Sequence, residues 1–363
     1  MPLPDETVWP LDLHTQAKHD ILRRYLGAWF PILNTWHRKI VYIDSFCGPG
    51  RYKGGEAGSP LIALDAAANH RRELQGELDF LFIDERQDRI ENLRGELDTL
   101  PYPEHFTVRT KHGLFHEQVE PLLGEIEAHT DTVPAFVFID PFGFKGIPFT
   151  LVRRLLLRER CEVLITFMVD AINRWLTHPN EQVNAHILDA FGTDEAAYIA
   201  GQVGDRTLAL RSLYQRQLAL SARFVRFFEM KDCDDRPQYY LFFATNHPKG
   251  HVKMKEAMWK VDPSGRFSFS DATDPDQIVL FADPDLSLLE RMLLGHFKGQ
   301  SNVLGGKVRI YVEDETAFIY KHKTKALKQL EGSDTINVSD TKADDTRRKA
   351  GTYPDDVLIN FPS

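Results

Sequence analysis

Four short apolar runs shape the first 140 residues: 40–43 closing on Asp44, 78–83 closing on Asp84, 106–108, and 135–139 closing on Asp140. Each is followed by a segment with helical spacing of its apolar residues. Hydrophobicity inside a run is continuous rather than alternating, so both faces of each strand must meet apolar partners. Strands of that kind separated by helices assemble into a parallel sheet held between two helical layers. A fifth run at 163–169 extends the pattern. Ahead of the first run, Ile21, Leu22, Tyr25, Leu26, Trp29 and Phe30 recur at spacings of three and four, the stripe of an amphipathic helix that covers one face of the sheet.

Beyond the fifth run the style changes. Residues 171–222 read as mostly helical, and residues 224–230 and 239–245 are then two β-prone runs joined by an aspartate-rich loop, which predicts an antiparallel hairpin. Five βα units ending in a hairpin is the layout of a class I methyltransferase sheet, whereas a dinucleotide-binding Rossmann sheet ends in another crossover. The expected fold class is therefore α/β, a doubly wound, Rossmann-like methyltransferase sheet with a terminal antiparallel hairpin, over residues 1–270. Residues 271–285, rich in Asp and Pro, read as a linker. Helices at 286–297 and 316–330 followed by a strand at 335–338 suit a small winged-helix-like module over residues 285–340, with residues 341–363 as a polar tail.

With 42% hydrophobic and 27% charged residues, the 363-residue chain has an ordinary globular composition. Its apolar stretches fall short of the ~18 residues a membrane span needs. The first twelve residues are acidic and proline-containing rather than basic then apolar, so neither membrane nor export is expected. Cys47, Cys161 and Cys233 are odd in number, widely spaced and without a CxxC pair, which argues against disulfides or structural zinc and for a reducing cytoplasm. No metal site is expected. A net charge of −9 lacks the overall basic signature of a nucleic-acid binder, so any such contact must be local.

The most informative stretch is Tyr42 to Arg51, where a strand ends at Asp44 and Phe46, Cys47, Gly48, Pro49 and Gly50 follow. Gly48 and Gly50 permit the tight turn and close backbone approach that a ligand above a strand's carboxyl end requires. A pyrophosphate fingerprint needs a small residue at position 53, and Lys53 stands there, so NAD and FAD are disfavoured. The loop instead suits a nucleoside with an amino-acid tail, S-adenosylmethionine, with Asp44 near the ammonium and the glycines against the methionine portion. Asp84 and Glu85 at the second strand's end are placed for a ribose diol, Asp84 the better aligned. Leu114 and Phe115 fall where an adenine ring would lie. After the fourth strand, Asp140, Pro141 and Phe142 set an acceptor and a stacking face beside the cofactor's reactive end. That stretch is similar to the Asp-Pro-Pro-Tyr motif of amino-methyltransferases, with Phe142 in place of the second proline and Gly143 in place of the aromatic, so an amine acceptor is expected.

The strings His14 to His19 leading into Tyr25–Trp29, Tyr42 to Gly50, Phe138 to Pro148 and Glu162 to Val169 resemble the three-Cys-motif partner proteins, the TcmP family. The resemblance spans nearly the whole chain. It implies a bacterial protein with a class I methyltransferase-like domain and a link to a separate three-Cys-motif protein, and it supplies no substrate.

Other polar residues take plainer readings. His14, Thr15, Lys18 and His19 read as a solvated helix start, with a cover over the cofactor as the alternative, Cys47 as a packing residue, Asn173 and Arg174 as candidates to line an acceptor pocket, and Lys321, Lys323, Lys325 and Lys328 as a solvated or phosphate-facing row. Two functional readings follow: a methyltransferase acting on nucleic acid, or a non-catalytic module that keeps the fold while binding nucleic acid or a protein partner.

Overall fold

The computed structural model describes residues 5–127, 133–201, 203–270, 285–342, 344 and 346–363, in two compact units. Residues 271–284, nearly all of the expected linker, lie outside the described residues.

The first unit opens with α1 (Leu13–Asn34), capped by Asp12, whose carboxylate accepts the Thr15 amide at 2.7 Å. Then strands and helices alternate: β1 (Lys39–Asp44), α2 (Ser59–Ala68), β2 (Glu77–Asp84), α3 (Gln87–Leu97), β3 (Phe106–His112), α4 (Phe115–Glu127), β4 (Ala135–Ile139), α5 (Phe149–Leu157) and β5 (Cys161–Phe167). The stretch expected to be mostly helical is four helices, α6 (Val169–Trp175), α7 (Glu181–Phe191), α8 (Glu195–Ile199) and α9 (Arg206–Ala219). Asn180 and Asp205 accept amides from the first turns of α7 and α9, and Gly192 ends α7 in the left-handed region. The expected hairpin is β6 (Phe224–Lys231) with β7 (Pro237–Thr245), and α10 (Pro248–Val261) and β8 (Ser268–Ser270) complete the unit.

The strand order is β3-β2-β1-β4-β5-β7-β6-β8. Strands β1 to β5 run parallel, and β7 enters antiparallel between β5 and β6. This mixed α/β sheet, parallel in its main part and closed by a hairpin, has the expected Rossmann-like methyltransferase layout. Side-chain alternation explains the continuous apolar runs. Tyr42, Phe80, Phe82, Phe136 and Phe138 pack toward α1, α2 and α10, while Ile43, Leu81, Ile83, Val137 and Ile139 pack toward α4 and α5. Chain order reverses between β1 and β4, which are adjacent in the sheet, and that switch point opens a crevice outside the strands' carboxyl ends.

The second unit contains α11 (Ser287–His296), β9 (Val303–Leu304), α12 (Gly305–Ile310) running into a π-turn at Tyr311–Glu315, α13 (Tyr320–Gly332), β10 (Asn337–Lys342) and β11 (Val357–Asn360). Its sheet is antiparallel, in the order β10-β11-β9. The segment expected as a polar tail thus supplies the middle strand, with Tyr353, Val357, Ile359 and Phe361 buried. Arg348 in the same segment pairs with Glu331 of α13 and donates to the Ser339 carbonyl. A four-residue strand shows only two inward apolar residues, too few for alternation to register against the charged residues around it.

Lys323, expected in a surface row, is buried, and its ammonium donates to the Tyr353 carbonyl at 2.9 Å. Burial brings its pKa down to about 8. Lys321, Lys325 and Lys328 are exposed.

Ending the chain after Asp356 removes β11, and the three-stranded sheet then has no middle strand. Trypsin should cut α13 rapidly in that variant while the first unit stays resistant. Equal protection of α13 in the parent and shortened chains would show that β11 does not hold the second unit together.

Candidate functional site

The polar groups of the first unit gather at the carboxyl edge of β1, β2 and β4, where each strand runs out of sheet partners. Asp44 ends β1 and is fully buried, and among the described residues neither of its oxygens accepts a well-formed hydrogen bond. Burial raises its pKa to about 7; the nearby Ser59 hydroxyl opposes the shift, and the charge of Asp140 adds to it. A buried carboxylate without donors is a cost unless a cation or donor arrives from outside.

The glycine loop folds back over this carboxylate. Gly48 and Gly50 have φ of 65° and 93°, where L side chains are strained, and a Cβ on Gly50 would stand 2.9 Å from the Leu93 side chain. Gly58, rather than Ser59, caps α2; Pro60 sits in the first turn as expected. The loop is anchored to its neighbours: Gly48 N donates to Asp84 at 3.0 Å, Cys47 N to the Ile83 carbonyl at 2.9 Å, and the Asn92 amide to the Pro49 carbonyl at 2.7 Å. Cys47 is buried, and burial pushes its thiol well above the usual range, so it serves as a packing residue.

At β2 the two carboxylates divide. Asp84 is buried and accepts from the Gly48 and Arg86 amides, with the Arg89 guanidinium at 4.0 Å. Burial raises its pKa, and those amides and Arg89 hold the rise back. It therefore ties the glycine loop to α3. Glu85 is exposed and faces the same cavity. Asp84, the preferred diol acceptor in the sequence, thus also has one backbone amide on each of its oxygens.

Two cavities adjoin these groups. The larger, about 490 Å³, is lined by Asp84, Glu85, Leu114 and the Pro141–Pro148 loop, and His186 and Asp189 of α7 close its far side. The smaller, about 90 Å³, lies against the glycine loop, Ser59, Thr166 and Tyr239. Phe46, Pro141 and Phe142 border both. Leu114 faces the larger cavity as expected, but Phe115 is buried at the start of α4, its ring 6.3 Å from Phe46. Arg174 pairs with Asp170, and neither it nor Asn173 lines these cavities.

Asp140 is the largest departure from the sequence reading. Lys18 of α1 donates to both its oxygens, at 2.7 and 2.5 Å, and the Thr166 hydroxyl of β5 donates at 2.6 Å. The helix start expected to be solvated is instead buried: His14, Lys18 and His19 are at most 6% exposed, and Thr15, Lys18 and His19 line the smaller cavity. Burial, reinforced by Lys18, drives His19 down to about 3, so its ring is neutral. Trp9 closes this side of the site, its ring 5.6 Å from Phe142 with the Arg89 guanidinium 4.6 Å away, and its carbonyl accepts the Lys53 amide at 2.9 Å. Trp9 and Lys18 were missed because their contacts to Phe142 and Asp140 cross more than 120 residues of chain, and Arg89 because its place over the Trp9 ring depends on a segment 80 residues away.

No protein-family model and no curated protein matches this chain. Among solved structures, a protein from Legionella pneumophila aligns over 69% of this chain and 91% of its own at 13% identity, with a TM-score of 0.41. Trm1 from Pyrococcus horikoshii with S-adenosyl-L-methionine covers 72% and 62% at 16% identity and a TM-score of 0.36. The O-methyltransferase TomG from Streptomyces achromogenes, in complex with SAM, covers 68% and 92% at 14% identity and a TM-score of 0.35. These likenesses are distant.

Replacing Asp140 by Asn leaves the Lys18 ammonium buried without its counter-charge, and unfolding should become easier by about 3 kcal/mol. Lys18→Met in the same chain should recover much of that loss, because the uncompensated charge is then gone. Denaturant unfolding of the two single variants and the double variant checks this. Strict additivity would mean that the two side chains do not support one another.

Proposed function

We propose that this chain binds S-adenosylmethionine in the crevice at the switch point and is a class I methyltransferase. The observation that carries the reading is the buried carboxylate of Asp44, which has no well-formed hydrogen bond, beneath a glycine loop that lines the smaller cavity. The donor set fits the cofactor. Asp44 meets the ammonium, Gly48 and Gly50 leave room for the methionine portion, Glu85 takes the ribose diol while Asp84 fixes the loop, and Leu114 and Phe46 flank the adenine. Bound there, S-adenosylmethionine would supply an electrophilic methyl group.

The protein's own residues then orient and enclose. Pro141 and Phe142 border both cavities, so an acceptor that stacks on Phe142 or Phe144 lies beside the cofactor's reactive end. Asp140, clamped by Lys18 and Thr166, positions that loop; its carboxylate keeps limited capacity to accept from an amine. Trp9 and the neutral His19 exclude water from the smaller cavity.

An amine on nucleic acid is the acceptor class we favour. The second unit supports it: three helices and a three-stranded antiparallel sheet in the order α-β-α-α-β-β suit a winged helix, and α13 exposes Lys321, Lys325 and Lys328. The TcmP resemblance supports a bacterial origin and a separate three-Cys-motif protein as partner. The second reading, a binding module that keeps the fold without catalysis, is favoured by the engagement of Asp140 with Lys18.

Mass spectrometry of ligand retained on purification, followed by transfer of labelled methyl to nucleic-acid and protein fractions, tests the reading. Retained S-adenosylmethionine or its demethylated product with label in RNA or DNA is the expected result. Cofactor without transfer to any fraction would favour the binding module.

The Asp44 pKa adds a signed prediction. A cation bound by the carboxylate form must displace a proton whenever pH lies below about 7, so S-adenosylhomocysteine should bind up to tenfold more weakly per pH unit below about 7 and evenly above it. Calorimetry across pH 5.5–8 should show this slope with proton release. The slope should vanish in Asp44→Asn; a parent protein with flat affinity would remove Asp44 from the ammonium site.

A further inference from the structure

The first unit has a second sizeable cavity, about 420 Å³, at the opposite edge of the sheet. It opens where β4 and β5 begin, at Pro134 and Cys161, and where antiparallel β7 ends, at Thr245. No group assigned to the crevice lines it. One wall is apolar, made by Trp29, Ile32 and Leu33 on the last turns of α1. Its rim carries basic side chains from three separate chain segments: Arg160 on the turn entering β5, His37 on the turn leaving α1, and His247, Lys249 and Lys253 around the start of α10.

These basic groups crowd one another. Burial, then Arg160, depresses the pKa of His37; burial, then Lys249 and Arg160, depresses that of His247. Acidic groups stand among them. Glu159 lies 3.8 Å from the Arg160 guanidinium at an exposed pair, and Glu256 holds Lys253 at 2.6 Å. Glu162, on the cavity floor, is buried with its oxygens taken by the Tyr25 hydroxyl at 2.5 Å and the Thr245 hydroxyl at 2.7 Å. Its pKa is raised by burial, and those hydroxyls and Trp29 oppose the rise. A Cβ on Gly250 would collide with this carboxylate, so α10 can start against the cavity only with glycine there.

Two further features point the same way. Arg160 holds a left-handed backbone at φ 61°, a conformation costly for a side chain other than glycine, asparagine or aspartate. The 14-residue helix α10 begins at the rim, turning the positive end of its dipole toward the same space.

We propose that this cavity is a second binding site, for a phosphate monoester on an apolar or aromatic body, with the phosphate held among Arg160, Lys249, His37 and His247 and the body against Trp29, Ile32 and Leu33. The two sources of such a group are a free small molecule and the phosphorylated end of a nucleic-acid chain. A dianion between His37 and His247 favours their charged forms and so opposes the depression that burial and the neighbouring cations impose.

Phenyl phosphate is the first probe, titrated by calorimetry into the full chain at pH 7.5, where it and inorganic phosphate are both mainly dianions. It should bind roughly tenfold more tightly than inorganic phosphate because the ring is buried. Arg160→Gly is the decisive variant: it removes the guanidinium and relieves the backbone, so the protein should melt no lower than the parent while phenyl phosphate binds at least tenfold more weakly. Lys249→Gln, at an exposed position, should weaken binding without changing the melting temperature. Undiminished affinity in both variants, or no binding of phenyl phosphate, would overturn the proposal. Thymidine 5′-monophosphate and a 5′-phosphorylated thymidine pentanucleotide then separate the sources: equal affinity identifies a free small molecule, and tighter binding of the pentanucleotide identifies a chain end.

Discussion

The first unit depends on burial of β1 and β4 on both faces at the point where chain order reverses. Tyr42 and Phe136 stack on one face, rings 7° from parallel, while Ile43 and Val137 face the other helical layer. Strands sealed on both faces have no place for a polar side chain along their length, so charge is pushed to the ends. Asp44, Asp84 and Asp140 all stand at such ends. The crevice is polar because the sheet around it cannot be.

That concentration of carboxylates has to be neutralised within the protein, and each acid is treated differently. Asp84 is spent on two backbone amides, Asp140 on a lysine and a threonine, and Asp44 is left with no well-formed partner. The same chemistry at three adjacent strand ends therefore yields a fastener, a clamped ion pair and an open receptor. Burial raises the pKa of both Asp44 and Asp84, and the donors around Asp84 hold its rise back.

The sheet was legible because two-faced burial writes itself into every residue of a strand, and the glycine loop because positive φ at Gly48 and Gly50 restricts residue type. What escaped was pairing across long stretches of chain. A lysine at a helix start carries no mark of the aspartate it will meet, so Lys18 looked solvated. Asp84 looked better placed than Glu85 because strand register is local, whereas the claim of the glycine loop on its carboxylate is tertiary. In the second unit, β11 was too short for its two inward residues to stand out, and Lys323 was assigned to the surface on charge alone.

Lys18 and Asp140 are separated by 122 positions in the chain. Neither can be neutralised early, because α1 must first be docked and β4 seated beside β1 before the two meet. Contacts of such sequence separation form late in folding, after local helices and neighbouring strands. Closing this edge of the sheet thus matches buried charge, a step distinct from the hydrophobic burial that joins the strands. Competence to hold a ligand then arrives with that closing step, so a partly folded chain would have the architecture of the site without its chemistry.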